Sequence, residues 1–230
     1  MLNPLRPVPV IALALASLAV PAQAQSARDL LTQASFGGQP QAVALRQVSA
    51  AQAAATAALR ANPNNSDAAL MAATAVGYHA KLTGSRSEAV AARKLFEGLV
   101  NSNPRHAEAQ LALGAWHVGA VYRLGGFMAR AALGGSRSTG LAALDRAVAA
   151  GGNHAFYPGM AALLRLELDP EDARGRALAE TAVRAGVSTQ LDRIVQRAAA
   201  AVLVPLRAGD GDQVKSVAAK RLPFGWLDEK

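Results

Sequence analysis

Residues 85–114 read SRSEAVAARKLFEGLVNSNPRHAEAQLALG. Ala92 and Phe96 stand one helical turn apart, Pro104 follows eight residues later, and Leu113-Gly114 come nine residues after that. The order describes two helices whose packing is set by residue size. A small residue lets paired helices approach closely and a phenyl ring fills the gap to the next helix. Proline, which lacks an N–H and clashes with the preceding turn, ends the second helix. Ser85 and Glu88 have capping-box spacing at the start, and Asn101-Ser102-Asn103-Pro104 stops the helix near Val100.

Outward from this stretch the same pattern continues. Alanine-rich segments with apolar residues three and four apart dominate, and no run alternates Val, Ile, Thr and aromatics, so the chain is expected to be all-α. Helices are predicted over 26–38, ended by Gly37-Gly38, and over 41–61, stopped by Asn62-Pro63-Asn64-Asn65. The next starts at Ser66 or Asp67 and runs to Leu82. Later helices are predicted at about 105–123, 137–150, 154–168, 170–185, 188–207 and 210–220, with Asp169 capping Pro170 at the start of the 170–185 helix.

The Ala92, Phe96, Pro104 and Leu113-Gly114 pattern resembles the tetratricopeptide repeat. That family spaces its prolines 34 residues apart, whereas Pro63 and Pro104 are 41 apart, which places seven extra residues around 82–86. From Leu113 to Leu144 is 31 residues where the family has 17, so a 14-residue insertion spans about 124–138, after which Gly140, Leu144 and Ala147 complete the unit. Ala147-Val148-Ala149-Ala150-Gly151 is echoed 35 residues on by Ala182-Val183-Arg184-Ala185-Gly186. The match is degenerate. Gln110 stands at the first-helix aromatic position, His117 at the tyrosine position, and the unit from about 154 to 186 lacks both Leu-Gly and a closing proline. The resemblance implies a right-handed α-α superhelix, a solenoid of about three to five antiparallel helix pairs. A non-repetitive helical bundle is the alternative that such alanine-rich helices also build.

Residues 1–24 have the layout of a secretory signal: Arg6, an apolar run from Val8 to Val20, and Ala22-Gln23-Ala24 before the cleavage point. Export, to the periplasm, is expected. The remaining chain, residues 25–230, forms one domain of about 206 residues with no second apolar run of membrane length. With no cysteine, disulfides and thiol catalysis are excluded. The formal charge of +8 falls to +7 without Arg6, and the basic residues are scattered. Aromatics make up only 4% of the chain, too few for a stacking platform, and nucleic acid is not an expected partner. Together with the leader and the Gly-Gly insertion, the architecture also resembles the helical T-component of tripartite periplasmic solute transporters.

In this repeat, first helices line the concave face. The resemblance therefore implies a groove bearing Asp67, Leu70, Thr74 and Tyr78, then Glu108, Leu111, Ala115 and Gly119. Tyr78 is either a binding residue or an ordinary packing residue. The insertion holds an apolar piece between Gly125-Gly126 and Gly134-Gly135 and reads either as a packed connector or as a lid. As a lid, Phe127 and Met128 would offer apolar contact while Arg130 and Arg137 bind a carboxylate or phosphate. Leu222-Pro223-Phe224-Gly225-Trp226-Leu227, in a C-terminal piece at about 221–230, reads as a cap on the solenoid's open end or as a peptide docked by a partner.

The histidines at 79, 106, 117 and 154 show no metal-ligand spacing, and no nucleophile elbow or phosphate loop is present. No metal, cofactor or enzymatic activity is expected. Two functions stay open. One is a scaffold or adaptor of the cell envelope that binds a protein or peptide partner in its groove. The other is a transporter accessory that holds a hydrophobic or anionic small-molecule solute under the insertion. The oligomeric state has no signature in the sequence.

Overall fold

Three turns share one construction, and they fix where helices begin and end. In Asn62-Pro63-Asn64-Asn65, Asn103-Pro104-Arg105-His106 and Asp169-Pro170-Glu171-Asp172, the first side chain accepts from the N–H two residues on, at 3.1 Å each time. Its carbonyl accepts from the residue three on, at 3.0–3.1 Å, and that fourth residue becomes the N-cap of the next helix. Proline is preset for the second position of such a turn, and Asx side chains close it.

A computed structural model of the chain describes residues 26–228; the leader read at 1–24 and its cleavage point lie outside the described residues. The helices are α1 (Ala27–Phe36), α2 (Gln41–Ala61), α3 (Ser66–Thr83), α4 (Arg86–Ser102), α5 (Ala107–Leu133), α6 (Arg137–Ala150), α7 (Phe156–Leu168), α8 (Ala173–Arg184), α9 (Gln190–Ala208) and α10 (Gly211–Arg221). A 3-10 turn, Gly225–Asp228, follows. The described residues form no strand; His154 and Gly186 make one isolated bridge. None of these helices is long and apolar enough to cross a membrane.

Each helix packs on its successor, and the odd-numbered helices also touch in sequence: α1 on α3, α3 on α5, α5 on α7 and α7 on α9. The spacing is set by size. A Cβ on Gly114 of α5 would stand 2.7 Å from Leu144 Cδ2 and 3.0 Å from the Gly140 carbonyl of α6, so only glycine permits that approach. Gly77 lies against Ala92 and Phe96 in the preceding pair, and Gly159 against Ala182 and Val195 in the following one. Ala92, Phe96, Leu113, Leu144 and Ala147 are all buried. Gln110, at the aromatic position, is 1% exposed and satisfied at both ends, donating to the Pro104 carbonyl at 2.9 Å and accepting from Arg146 at 3.1 Å. A buried amide without those partners would cost about 1–3 kcal/mol.

Two cores result. One joins α5 to α10 around Leu144, Leu163, Val195 and Val202; the other joins α1 to α5 around Val48, Leu70, Ala92 and Phe96, and takes in Phe224 from the far end of the chain. Arg165, 6% exposed, bonds Asp145 at 2.7 Å and Asp172 at 3.2 Å, which ties α6 and α8 to α7 and keeps its buried charge paired.

The expectation that Asp169 caps a helix at Pro170 is corrected. Asp169 is the C-cap of α7, and Asp172, accepting from Gly175 N–H at 2.8 Å, caps α8. Both carboxylates suit an N-cap, and the Asx-Pro turn uses the first for itself. Around 82–86, α3 ends at Thr83 with Gly84, at a left-handed φ of 75°, as its C-cap, and Ser85 caps α4 at Arg86. Around 124–138, α5 bends at Gly125, with φ 73° and ψ 157°, and resumes as a short helical arm. That arm ends in a Schellman motif, with Gly134 N–H bonded to Arg130 O at 3.0 Å and Gly135 N–H to Ala129 O at 2.9 Å.

Candidate functional site

Asp67 of α3 and Glu108 of α5 both face α1. Arg28, the second residue of α1, donates to Glu108 Oε1 at 2.6 Å and, through its other terminal nitrogen, to Asp67. Its side chain is 35% exposed, Glu108 21% and Asp67 64%, so the pair to Glu108 is the more sheltered one. Burial works against the Arg28 charge, but the hydrogen bonds and charges of Glu108 and Asp67 outweigh it and raise its pKa. Ser26 holds the start of α1 by accepting from Asp29 N–H at 3.1 Å.

The other end of the chain meets the same surface. Phe224, fully buried, sets its ring edge-on to Tyr78 at 4.9 Å and leans on Trp226 at 5.6 Å. Its N–H donates to the Ser35 carbonyl of α1 at 2.9 Å, and the Trp226 indole N–H donates to the Gln39 carbonyl at 3.1 Å. Lys81 of α3 donates to the Pro223 carbonyl at 2.7 Å and lies 5.9 Å over the Phe224 ring. Phe224 has φ 62°, which bulky residues avoid, and the surrounding contacts hold it there. Burial pushes the Tyr78 hydroxyl up to about 12, opposed by a hydrogen bond with Ser35 and assisted by the Glu108 charge.

Between these contacts lies a half-open cleft of about 70 Å³, walled by Arg28, Thr32, Thr74, Tyr78, Glu108 and Met160, with Phe156 and Leu191 added from α7 and α9. The last two are positioned by Asp192, which bonds Phe156 N–H at 3.1 Å and, as the third residue of α9, completes a capping box with Thr189. The cleft presents the paired Arg28 guanidinium and Glu108 carboxylate and the threonine hydroxyls on an apolar wall. Among the described residues no group of three or more acidic or histidine side chains is placed to hold a metal ion.

Of the sequence-predicted groove residues, Asp67, Tyr78 and Glu108 make these contacts and Thr74 lines the cleft. Leu70 and Leu111 are core residues, at 1% and 3% exposure; Ala115 packs beside the second of them, and Gly119 faces open space. None of Phe127, Met128, Arg130 or Arg137 lines the cleft. Phe127 and Met128 face solvent, Arg130 is exposed, and Arg137 pairs with Asp169 at 3.4 Å. The arm carrying the first three packs Ala129 against Ala120 and Val121, while its Ala132 carbonyl accepts from Arg86 of α4 at 3.0 Å.

Sequence reasoning missed Arg28, Phe156, Met160 and Leu191. Arg28 stands 39 and 80 residues from its partners, and a lone arginine in a short helix carries no signal of a contact so distant. His117, 3% exposed, accepts from Ser136 N–H at 3.3 Å and stands edge-on to Trp116 at 5.1 Å. Burial, with the Arg93 charge adding to it, lowers its pKa against the opposing pull of Glu97.

No protein family, curated protein or solved structure matches this chain. A functional reading therefore rests on the geometry of its own residues.

Proposed function

We propose that this chain is an exported, non-catalytic, tetratricopeptide-like repeat protein of the cell envelope that holds a peptide segment of a partner protein in its groove. In this reading the odd-numbered helices are the inner layer of the solenoid. One observation carries the proposal: Tyr78, chosen as a groove residue, receives the Phe224 ring of the C-terminal segment edge-on, beside Asp67 and Glu108, which hold the Arg28 guanidinium of α1. Carboxylate pairs on a guanidinium and an aromatic edge on a ring are the contacts by which grooves hold basic and aromatic peptides. The C-terminal segment thus occupies the groove as a ligand would, and a partner segment of like chemistry competes with it. The solute-accessory reading, with its likeness to the transporter T-component, has less support. The insertion, which that reading needs as a cover, lines neither this cleft nor the neighbouring one of about 370 Å³ between α1 and the start of α9.

The test removes residues 222–230 and offers them back. A labelled peptide copying residues 221–230 is titrated into the truncated protein and into the full chain, with fluorescence anisotropy as readout. Saturable binding to the truncated protein, weakened by Tyr78→Ala and by excess full-length competitor segment, is the expected outcome. A truncated protein with its helical content intact that binds no peptide refutes the reading.

A further inference from the structure

Outside the groove, the bend of α5 gathers apolar side chains that the fold leaves in water. Phe127 is 83% exposed, Met128 52%, Leu124 44% and Tyr122 37%, all within seven residues of one another and around Gly125. Folded proteins rarely leave a phenyl ring so bare beside other apolar groups unless something covers it. The helical arm explains the display. Its buried side is Ala129, seated on Ala120 and Val121, so the opposite side of the arm must face outward.

The chain that forms this tip is basic. Residues 109–144 contain no Asp or Glu, while Arg123 and Arg130 flank the apolar group, both exposed and without an ion pair among the described residues. Lys215 of α10 adds a third cation, 5.6 Å over the Tyr122 ring. We propose that this tip, Tyr122 to Arg130, docks the protein on an anionic lipid bilayer. Phe127, Met128 and Leu124 enter the boundary of headgroups and acyl chains, and Arg123, Arg130 and Lys215 pair with lipid phosphates. An apolar wedge rimmed by arginine and lysine and carrying a tyrosine at its base is the arrangement that interfacial anchoring requires. Exposed arginines on both sides of the apolar group complement anionic headgroups. The anchoring lies apart from the groove and holds whether or not a peptide binds there.

The experiment uses the chain from residue 25 onward. Sedimentation with vesicles of phosphatidylcholine alone, and of phosphatidylcholine with 30% phosphatidylglycerol, is expected to pellet the protein only with the anionic vesicles. The double variant Phe127→Ser/Met128→Ser, at exposed positions that leave the fold intact, should weaken that binding about tenfold or more, as expected for removing two buried apolar side chains. Arg123→Gln/Arg130→Gln should remove the preference for anionic lipid. Because the chain has no cysteine, Met128→Cys carries a single environment-sensitive dye, whose emission should rise on anionic vesicles. Three results overturn the proposal: no binding to either vesicle, undiminished binding of the double serine variant, or a dye that stays water-like while the protein is bound. A concentration-dependent dimer abolished by the serine variant would assign the patch to a second copy of this chain and overturn it equally.

Discussion

Replacing Asp192 by asparagine removes a charge and changes the shape of the side chain very little. Its carboxylate accepts from Phe156 N–H at 3.1 Å, Ser188 N–H at 3.2 Å, Thr189 N–H at 2.9 Å, and the Ser188 and Thr189 hydroxyls at 3.2 and 2.8 Å. His154 Nδ1 stands 3.5 Å away. Burial alone would raise its pKa, but the hydrogen bonds from Thr189, Phe156 and Ser188 outweigh it and hold the value at about 2. A folded pKa below the unfolded one stabilises the protein above the unfolded value, and that stability is lost as pH falls through the folded one. The shift from 3.8 to about 2 is worth about 2 kcal/mol at pH 7 and under about half a kcal/mol at pH 2. Urea denaturation followed by circular dichroism, from pH 7 down to pH 2.5, measures it. The expected result is a deficit of about 2 kcal/mol for Asp192→Asn at pH 7 that narrows below pH 4. A deficit that stays constant across the range, or none at pH 7, would refute the assignment of this stability to the ionised carboxylate.

Other substitutions test separate links. Gly114→Ala forces a methyl group to within 2.7 Å of Leu144 and should cost about 1–3 kcal/mol, whereas Gly98→Ala, on an open face of α4, should gain about 0.5–1 kcal/mol; paired melting curves distinguish them. Phe224→Ala should destabilise by about 3–5 kcal/mol at most, and by less where the C-terminal segment undocks before the rest unfolds, which amide hydrogen exchange at α1 and α3 would detect. For His117 the lowered folded pKa means the unfolded chain takes up the proton first. Stability should therefore decline as pH falls below about 6.5, and His117→Gln should flatten that slope, read by thermal melts between pH 7.5 and 5.

The helices were legible because their signals are local. Asn62-Pro63, Asn103-Pro104 and Gly134-Gly135 dictate backbone geometry within four residues, and helix ends at these places follow from them. Asp169 misled because two carboxylates three residues apart compete for one cap, and only the hydrogen bonds of the formed turn decide between them. The contacts around the cleft were half legible. Repeat register selected Asp67, Tyr78 and Glu108, yet nothing in the register says that an arginine from α1 and a phenylalanine from residue 224 meet them. Likewise, Gly-Gly pairs signal a bend at 125 and an end at 134, but not which side of the intervening arm turns to solvent. That depends on Ala129 finding Ala120, a contact of shape.

The seating of Phe224 among residues 31–113 also constrains how the protein is made. A chain that emerges from its amino end can form α1 to α5 early, but their shared core lacks its last ring until residue 224 has emerged. Contacts that span nearly the whole polypeptide, such as Trp226 with Gln39, are the slowest to form because the loop they close is longest. Molecules cut short anywhere before Pro223 would carry an uncovered Tyr78 and a loosened α1, and a protease that samples open segments could tell them from finished ones.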